Sequence, residues 1–517
     1  VEKQIKEGIQ FAKKRYSAKS FMAYFQTFSA SFEPDTHNNY FDILSKYNFS
    51  AVTFGTRPDC ITKESISFLK KLNKIIPVWI ELGIQTIHNK TLDRINRRHN
   101  WQLSKKIICL LNEMGIKVAV HVIIGLPSET QTDIIETAKE LSTLPINGIK
   151  IHNLHIIKNT QLAKEYKEKP FPVFGEHEYA DLLIRFLRYL PSNLPVIRMS
   201  TDTESDNLIA PIWHINKNQF QDYVINKMIC QEIRQGDMLV KSTVQVVPFK
   251  HVTTKDESLT FWNDEFKEHY HTVFGARIEA EQKYVVASNL SDKLLKKEQT
   301  ILDIGFGMGY NSLSAMNIGC KLTHSLNITA LEIDKRVVRY MSETIPEEPN
   351  DAFSWRDCLS SIYSEDSFNH GNASLSIFWN DARYSIQKLD EGKFDIVFMD
   401  AFSSQRNSEL WTLDFFNQIK RIMKPSGILL TYSQAIPVLS GLIQAGFYVG
   451  FTQPIGLDKK GTIAAMRKED ILMPLTEKDL VEISSTRGIP YRDPFHILSN
   501  KDILRNREKE ILKKKAR

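Results

Sequence analysis

Short apolar runs alternate with longer amphipathic stretches along the first half of the chain. The runs FMAYFQTF (21–28), AVTFGT (51–56), VWIELGIQT (78–86), VAVHVIIGL (118–126) and GIKIHNLHII (148–157) read as strands. Between them, apolar residues spaced three and four apart predict helices over Lys63–Asn73, Leu103–Met114 and Ser128–Leu144. Regular strand–helix alternation predicts a parallel sheet covered by helices. Periodicity does not say whether that sheet closes into a barrel. A helix over Asn218–Gln235 closes the unit, with Gly236 as its stop.

Residues 237–262 change character and read as a β-hairpin with a turn near Lys255 and Asp256. A second strand–helix series follows, with strands at 300–306, 328–334, 374–379, 394–400, 427–433, 448–453 and 461–467. The expected division is 1–235, a hairpin extension over 236–295, and a second domain over 296–517. No tandem repeat or low-complexity linker is visible.

Composition narrows the class. The chain has 517 residues, 42% apolar and 25% charged, which excludes wholesale disorder. The longest uncharged run, Pro425–Leu457, is broken by Pro437, Gly441, Gly446, Gly450 and Pro454. It reads as strand, loop, helix and strand, not a membrane span. The first residues, VEKQIKEGIQFAKKR, are charged and amphipathic, without a signal segment. Five cysteines (Cys60, Cys109, Cys230, Cys320, Cys358) show no CxxC and no zinc spacing, so no metal ligand set is assigned. Sparse, odd cysteine usage fits a reducing cytoplasm. The net charge is +6, and Lys501–Arg517 holds eight Lys/Arg against three Asp/Glu. That tail is either a solvated helix end or a phosphate-contacting segment.

The candidate chemistry lies in the second half. Leu302-Asp303-Ile304-Gly305-Phe306-Gly307-Met308-Gly309 ends a strand and opens a helix. Such glycines permit a tight turn and close approach of a ligand to the backbone. Glu332 ends the next strand, where an acid accepts from ribose hydroxyls. Asp381, followed by Ala382, comes after the third strand and could accept from an adenine amino group. Asp400 ends the fourth. All four acids are expected beyond carboxyl ends of parallel strands, where open α/β sheets bind ligands. The alternative is that each only caps the helix after its strand.

This arrangement resembles a class I S-adenosylmethionine-dependent methyltransferase with a Rossmann-like sheet. Further stretches resemble the MnmC/MnmD group: Tyr270-His271-Thr272 with Gly275-Ala276 and Glu279, Met399-Asp400-Ala401-Phe402 with Asn407 and Leu410-Trp411-Thr412, and Gly488-Ile489-Pro490-Tyr491-Arg492-Asp493-Pro494. Ala401 departs from the glycine many members carry. The resemblance implies methylation of 5-aminomethyl-uridine at the tRNA wobble position. It assigns Asp400 to the reaction centre and Asp303, Gly305, Gly307, Gly309, Glu332, Asp381 and Ala382 to the cofactor. Tyr270, His271, Glu279, Phe402 and Trp411 are expected around the substrate. Residue types agree: a carboxylate orients an amine, and aromatic faces stack on an unpaired base. Core packing is the competing reading of Trp411. Residue chemistry alone gives the Ile489–Pro494 stretch no role.

Residues 1–235 resemble radical S-adenosylmethionine proteins of the YhcC/MnmL type. The resemblance rests on Ala23-Tyr24-Phe25-Gln26, Thr56-Arg57-Pro58-Asp59-Cys60, Trp79 to Thr86, Gly125 to Thr130, Ile149 to His155 and Pro211-Ile212-Trp213. It implies a partial β/α barrel, with Glu81 and Gln85 near the cofactor's ribose and methionyl groups and Gly125 and Pro127 near its adenine. The family binds a [4Fe–4S] cluster through CxxxCxxC, which this sequence lacks. Either the chain is truncated at its start, as Val1 and a missing first strand suggest, or the barrel is a cluster-free scaffold. The expected protein is a cytoplasmic tRNA-modification enzyme. The alternatives are methyl or aminopropyl transfer to another amine, and a non-catalytic RNA-binding remnant. Oligomeric state stays open.

Overall fold

The computed structural model describes residues 2–25, 40–203, 206–239, 249–273, 275–346, 349–453 and 460–516. Its contacts divide it into two units, Val1–Ile225 with Ile233–Thr243, and Asn226–Glu232 with Val244–Arg517.

In the first unit six strands pair in parallel and in chain order: β1 (Met22–Phe25), β2 (Ala51–Thr56), β3 (Val78–Gln85), β4 (Lys117–Ile124), β5 (Gly148–Asn153) and β6 (Val196–Arg198). Each new strand adds to the same side, so the sheet never reverses and curls into a half-barrel. Helix Lys63–Asn73 follows its expected bounds. Thr62 and Ser65 cap it reciprocally, and Phe68, Leu69 and Leu72 are buried on one face. Gln131–Ser142 starts on the equivalent pair Thr130 and Asp133.

Two expectations change here. The run 148–157 is not one strand: β5 stops at Asn153, and Ile156–Ile157 pairs antiparallel with Leu208–Ala210. Asn153 redirects the chain, since its side-chain oxygen accepts from Thr201 N at 2.9 Å. The helix expected over 218–235 runs Lys217–Cys230. Its stop is Glu232, left-handed at φ 56°, not Gly236. The Glu232 carboxylate is held by Arg339 at 2.5 Å and by Tyr363 OH at 2.8 Å, which offsets the backbone strain. The end of the first expected strand (Gln26, Thr27, Phe28) and residues 240–248 of the expected hairpin lie outside the described residues.

The second unit opens with the hairpin His251–Thr253 and Leu259–Asn263. Asp256 closes its turn by accepting from Ser258 N and Oγ. The main sheet comprises β7 (Gln299–Ile304), β8 (Leu326–Glu332), β9 (Ser367–His370), β10 (Ala373–Trp379), β11 (Phe394–Met399), β12 (Met423–Thr431), β13 (Tyr448–Phe451), β14 (Thr462–Ala465) and β15 (Met473–Pro474). Their order is β9-β10-β8-β7-β11-β12-β14-β13-β15. Strands β10, β8, β7, β11 and β12 are parallel; the rest are antiparallel. Ile301, Ile328 and Phe398 pack on one face, and Leu302, Ile304, Val397 and Met399 on the other. Burial of both faces is why these strands read as continuous apolar runs. The chain order reverses between β8 and β11, on either side of β7, and opens a crevice at the carboxyl ends. The uncharged run yields strand β12, helix Ile436–Gln444 and strand β13. Among the described residues, no helix is long and apolar enough to cross a membrane.

Candidate functional site

The crevice is floored by the glycine turn after β7. Gly305, Gly307 and Gly309 have φ of 81°, 54° and 90°. A Cβ at Gly305 would lie 3.1 Å from Asp400 O, and one at Gly307 would lie 3.2 Å from the Tyr270 ring. Both the left-handed backbone and the close approach therefore require glycine. Glu332 braces this turn: Oε2 accepts from Gly307 N at 2.7 Å, and Oε1 accepts from Ile333 N and Asp334 N at 2.8 Å. Burial nevertheless pushes the Glu332 carboxyl up to about 7.

Asp303 lies inside β7 rather than beyond it, and is fully buried. Its Oδ2 accepts from Ser312 Oγ at 2.6 Å, while Oδ1 has no partner. Burial first, with Asp400 and Glu332 nearby, pushes this carboxyl up to about 8. A buried acceptor without a donor is costly, and a ligand donor would satisfy it. Asp400 follows β11 and accepts from Asn311 Nδ2 at 2.8 Å. Burial raises its carboxyl as well; His271 opposes that shift and Glu279 adds to it. Glu279 is itself held below the usual carboxylate range. Burial works against this, but Lys283 (2.5 Å) and His271 outweigh it. Asp303, Glu332, Asp400, Glu279, Tyr270 and His271 thus share one neighbourhood around the turn.

An aromatic wall stands beside Asp400. Phe402 stacks on Phe266 with ring centroids 4.4 Å apart, and Tyr270 meets Phe402 edge-on at 4.9 Å. Glu268 holds the loop after β11 by accepting from Ser403 N at 3.0 Å and Ser403 Oγ at 2.5 Å. His271 packs edge-on against Tyr310 at 5.3 Å.

Two expected residues take structural roles. Trp411 is fully buried, and its Nε1 donates to Phe402 O at 2.7 Å. It supports the loop that carries Phe402 and offers no face to a substrate. Asp381 caps helix Ala382–Ser385, and both its oxygens bind the buried Arg383, at 3.1 and 2.7 Å. Its carboxylate is committed to that pair instead of standing free for an adenine amine. Arg383 also reaches Asp493 at 2.8 Å. That contact gives the C-terminal stretch a role. Asp493 is fully buried, Arg492 pairs with Asp414, and Tyr491 O accepts from Leu413 N. Together they pin the turn that carries Asp381 and Ala382. Asn311, Phe266 and Glu268 escaped the sequence reading, because only tertiary contacts bring them to Asp400 and Phe402.

In the half-barrel, Glu81 is buried on β3. It accepts from Tyr24 OH at 2.5 Å, His121 Nε2 at 2.9 Å and Lys150 Nζ at 2.7 Å. Burial would raise its carboxyl, but His121, Lys150 and Tyr24 hold it down to about 2. His152 sits beside His121, and burial lowers it to about 3. Gln85 ends β3 with φ 68°, and Gly125 (φ 96°) and Pro127 follow β4. Among the described residues, the group with metal-ligand spacing is His88, Asp133 and Glu136, with no cysteine in it. The five cysteines show no CxxxCxxC spacing.

Comparison with known proteins separates the halves. The Radical SAM superfamily matches residues 2–141, and the Radical_SAM C-terminal domain matches 146–229. A family described as S-adenosyl-L-methionine-dependent methyltransferase matches 350–468. The Methanocaldococcus jannaschii protein MJ0486 is 32% identical over 240 residues, 46% of this chain and 74% of that relative. The chain spans 62% of YtqA of Bacillus subtilis, at 33% identity over 199 residues. The tRNA 5-methylaminomethyl-2-thiouridine biosynthesis bifunctional protein MnmC of Cupriavidus metallidurans is 24% identical over 218 residues, 40% of this chain and 32% of that relative. The crystal structure of MNMC2 from Aquifex aeolicus matches with 26% identity, 58% of this chain, 93% of that one and a TM-score of 0.45.

Proposed function

This chain belongs to the radical SAM superfamily over its first half and is an MnmC-like S-adenosylmethionine-dependent methyltransferase over its second, and from that premise we propose that it modifies tRNA. The reaction is methyl transfer to the side-chain amine of 5-aminomethyl-(2-thio)uridine at the wobble position, carried by the second unit. The observation that carries this reading is Asp400, a half-buried acid beside an aromatic wall at the switch-point crevice. The motif resemblance and the activity named for MnmC support the substrate.

The crevice fits S-adenosylmethionine. Asp303 Oδ1 lacks a donor, and the glycine turn holds a left-handed backbone that brings main chain to the crevice. Asp303, Glu332 and the turn Gly305–Gly309 would hold the cofactor, with the Ala382 backbone at its adenine end. When bound, it supplies a methyl group on a sulfonium.

Asp400 acts on the amine. As a carboxylate it accepts an N–H, aims the nitrogen lone pair and offsets the positive charge the nitrogen gains on methylation. It then takes the proton that nitrogen sheds. Asn311 fixes the carboxylate by donating to Oδ2. Phe402, with one face covered by Phe266, and Tyr270 close the site to water and receive the uracil ring. A tRNA substrate places the reaction in the cytoplasm.

The test is a methyl-transfer assay with labelled S-adenosylmethionine and tRNA bearing 5-aminomethyl-uridine, read by nucleoside mass spectrometry. The expected product is 5-methylaminomethyl-uridine. Cofactor binding without that product, or methylation of a polyamine without tRNA, overturns the substrate assignment.

A further inference from the structure

The helix Lys217–Cys230 begins in the first unit, but its residues from Asn226 onward belong to the second. There a short segment touches the rim of the crevice at several points. Lys227 is 1% exposed, and its Nζ donates to Asn380 Oδ1 at 2.7 Å. That oxygen also accepts from Asp381 N at 2.8 Å, and Asn380 N donates to Glu332 O at 2.9 Å. Asn380 therefore couples the ends of β8 and β10, and Lys227 bears on the atom that orders Asp381.

The following residues extend this contact. Gln231 Nε2 donates to Trp379 O at 2.9 Å. Cys230 is buried, and its thiol is pushed up by burial, with Asp334 and Glu332 among the charges around it. Its Sγ lies 3.9 Å from Arg336 Nη2, and Arg336 grips Asp334 at 2.8 and 2.6 Å. Asp334 caps helix Lys335–Thr344, and Glu232 reaches Arg339 on the same helix. Six residues thus tie together the end of β8, the end of β10 and the helix between them.

A buried lysine is costly, and a helix that needed only to end could do so without one. We propose that the segment Lys227–Glu232 is a wall of the methyltransferase's cofactor pocket, and that Lys227 is a positioning residue for its adenine end. The proposal rests on reading the crevice as the S-adenosylmethionine site. Lys227 acts through Asn380, which sets the turn carrying Asp381 and Ala382. The methyltransferase half is therefore incomplete without residues that precede the hairpin at its start.

The test uses the full chain. Lys227→Met removes the donor at similar length, and Lys227→Arg restores one. Equilibrium dialysis with labelled S-adenosylmethionine gives Kd, and initial rates give KM and kcat. In Lys227→Met, Kd and cofactor KM rise about tenfold while kcat at saturation stays within about twofold, and Lys227→Arg recovers most of the loss. A merely structural lysine would not split KM from kcat. Kd and KM within about twofold of wild type, or a loss confined to kcat, overturns the proposal. If Lys227→Met does not fold, Gln231→Ala, at a partly exposed side chain, serves instead. A rise of about threefold or more in Kd is expected, and no change overturns the proposal. Wild type that binds the cofactor beside a variant that binds it equally well refutes this inference alone. Wild type that binds none refutes the cofactor site, and this inference with it.

Discussion

The side-chain amide of Asn311 donates to Asp400 Oδ2 at 2.8 Å. The bond joins the first turn of helix Tyr310–Gly319 to the residue after β11, across the point where the sheet order reverses. One carboxylate is thereby oriented from the helix that the glycine turn opens, so the proposed cofactor turn and the proposed reaction centre share one frame.

Asp400→Asn keeps the shape and removes the charge that offsets the methylated nitrogen. Turnover is expected to fall at least about 100-fold, with cofactor Kd unchanged within about threefold. Paired rate and dialysis measurements check this. Comparable turnover would remove Asp400 from the reaction centre.

Cofactor affinity is expected to depend on pH. Glu332 and Asp303 are raised to about 7 and about 8. Ribose hydroxyls and an ammonium both favour the ionised acids. Binding must therefore release protons near neutrality and tighten as pH rises from about 6 to about 8.5. Titration calorimetry in buffers of different ionisation enthalpy reads the release directly, and Glu332→Gln should remove the lower part of the profile. The free protein has the opposite sign. Its folded state holds protons that the unfolded chain has lost, so these two acids reduce stability as pH rises from about 4 to about 8. Proton-independent binding would show that the cofactor does not engage them.

Gly307→Ala meets both a left-handed backbone and the Tyr270 ring at 3.2 Å. The backbone alone costs about 1–2 kcal/mol, and cofactor Kd should rise at least about tenfold. Gly392→Ala is the control. Its φ is 60°, but a Cβ there has nothing within 4 Å. It should lose stability in a denaturant melt and leave Kd unchanged.

Glu81→Gln should destabilise the half-barrel by about 3–5 kcal/mol, because Lys150 is left buried without its charge partner. The double variant Glu81→Gln with Lys150→Met should recover most of the loss. Glu81 is held down to about 2, below its ordinary 4.5. Its contribution is full above about pH 4.5 and is lost as pH falls toward 2. Chemical denaturation across that window checks the sign. A flat profile in both wild type and Glu81→Gln would contradict the pairing.

Much was readable from pattern alone. Strand Ala51–Thr56 and helix Lys63–Asn73 follow directly from apolar runs and helical spacing. Both are local signals, reinforced by the Thr62 cap. The end of helix Lys217–Cys230 was not readable, because its stop is Glu232 and not a glycine. Only the tertiary partners Arg339 and Tyr363 make a left-handed glutamate tolerable there. The acids divide in the same way. Glu332 and Asp400 could be placed by strand order, since a parallel sheet brings its carboxyl ends to one edge, whereas Asp303 lies inside its strand. The commitment of Asp381 to Arg383 could not. The same buried guanidinium also bonds Asp493, 110 residues further along the chain from Arg383.

The sequence by itself determined two α/β halves, the glycine turn and the order of the acids along the strands, because period, spacing and residue type are local properties of a chain. The tertiary structure alone decided which groups are spoken for and which stay open. Trp411 is sealed under Phe402, Asp381 is closed by Arg383, and Asp303 Oδ1 is left without a donor. A hydrogen-bonding group takes its partner from whatever packing brings within about 3 Å, and no periodicity in the chain encodes that distance.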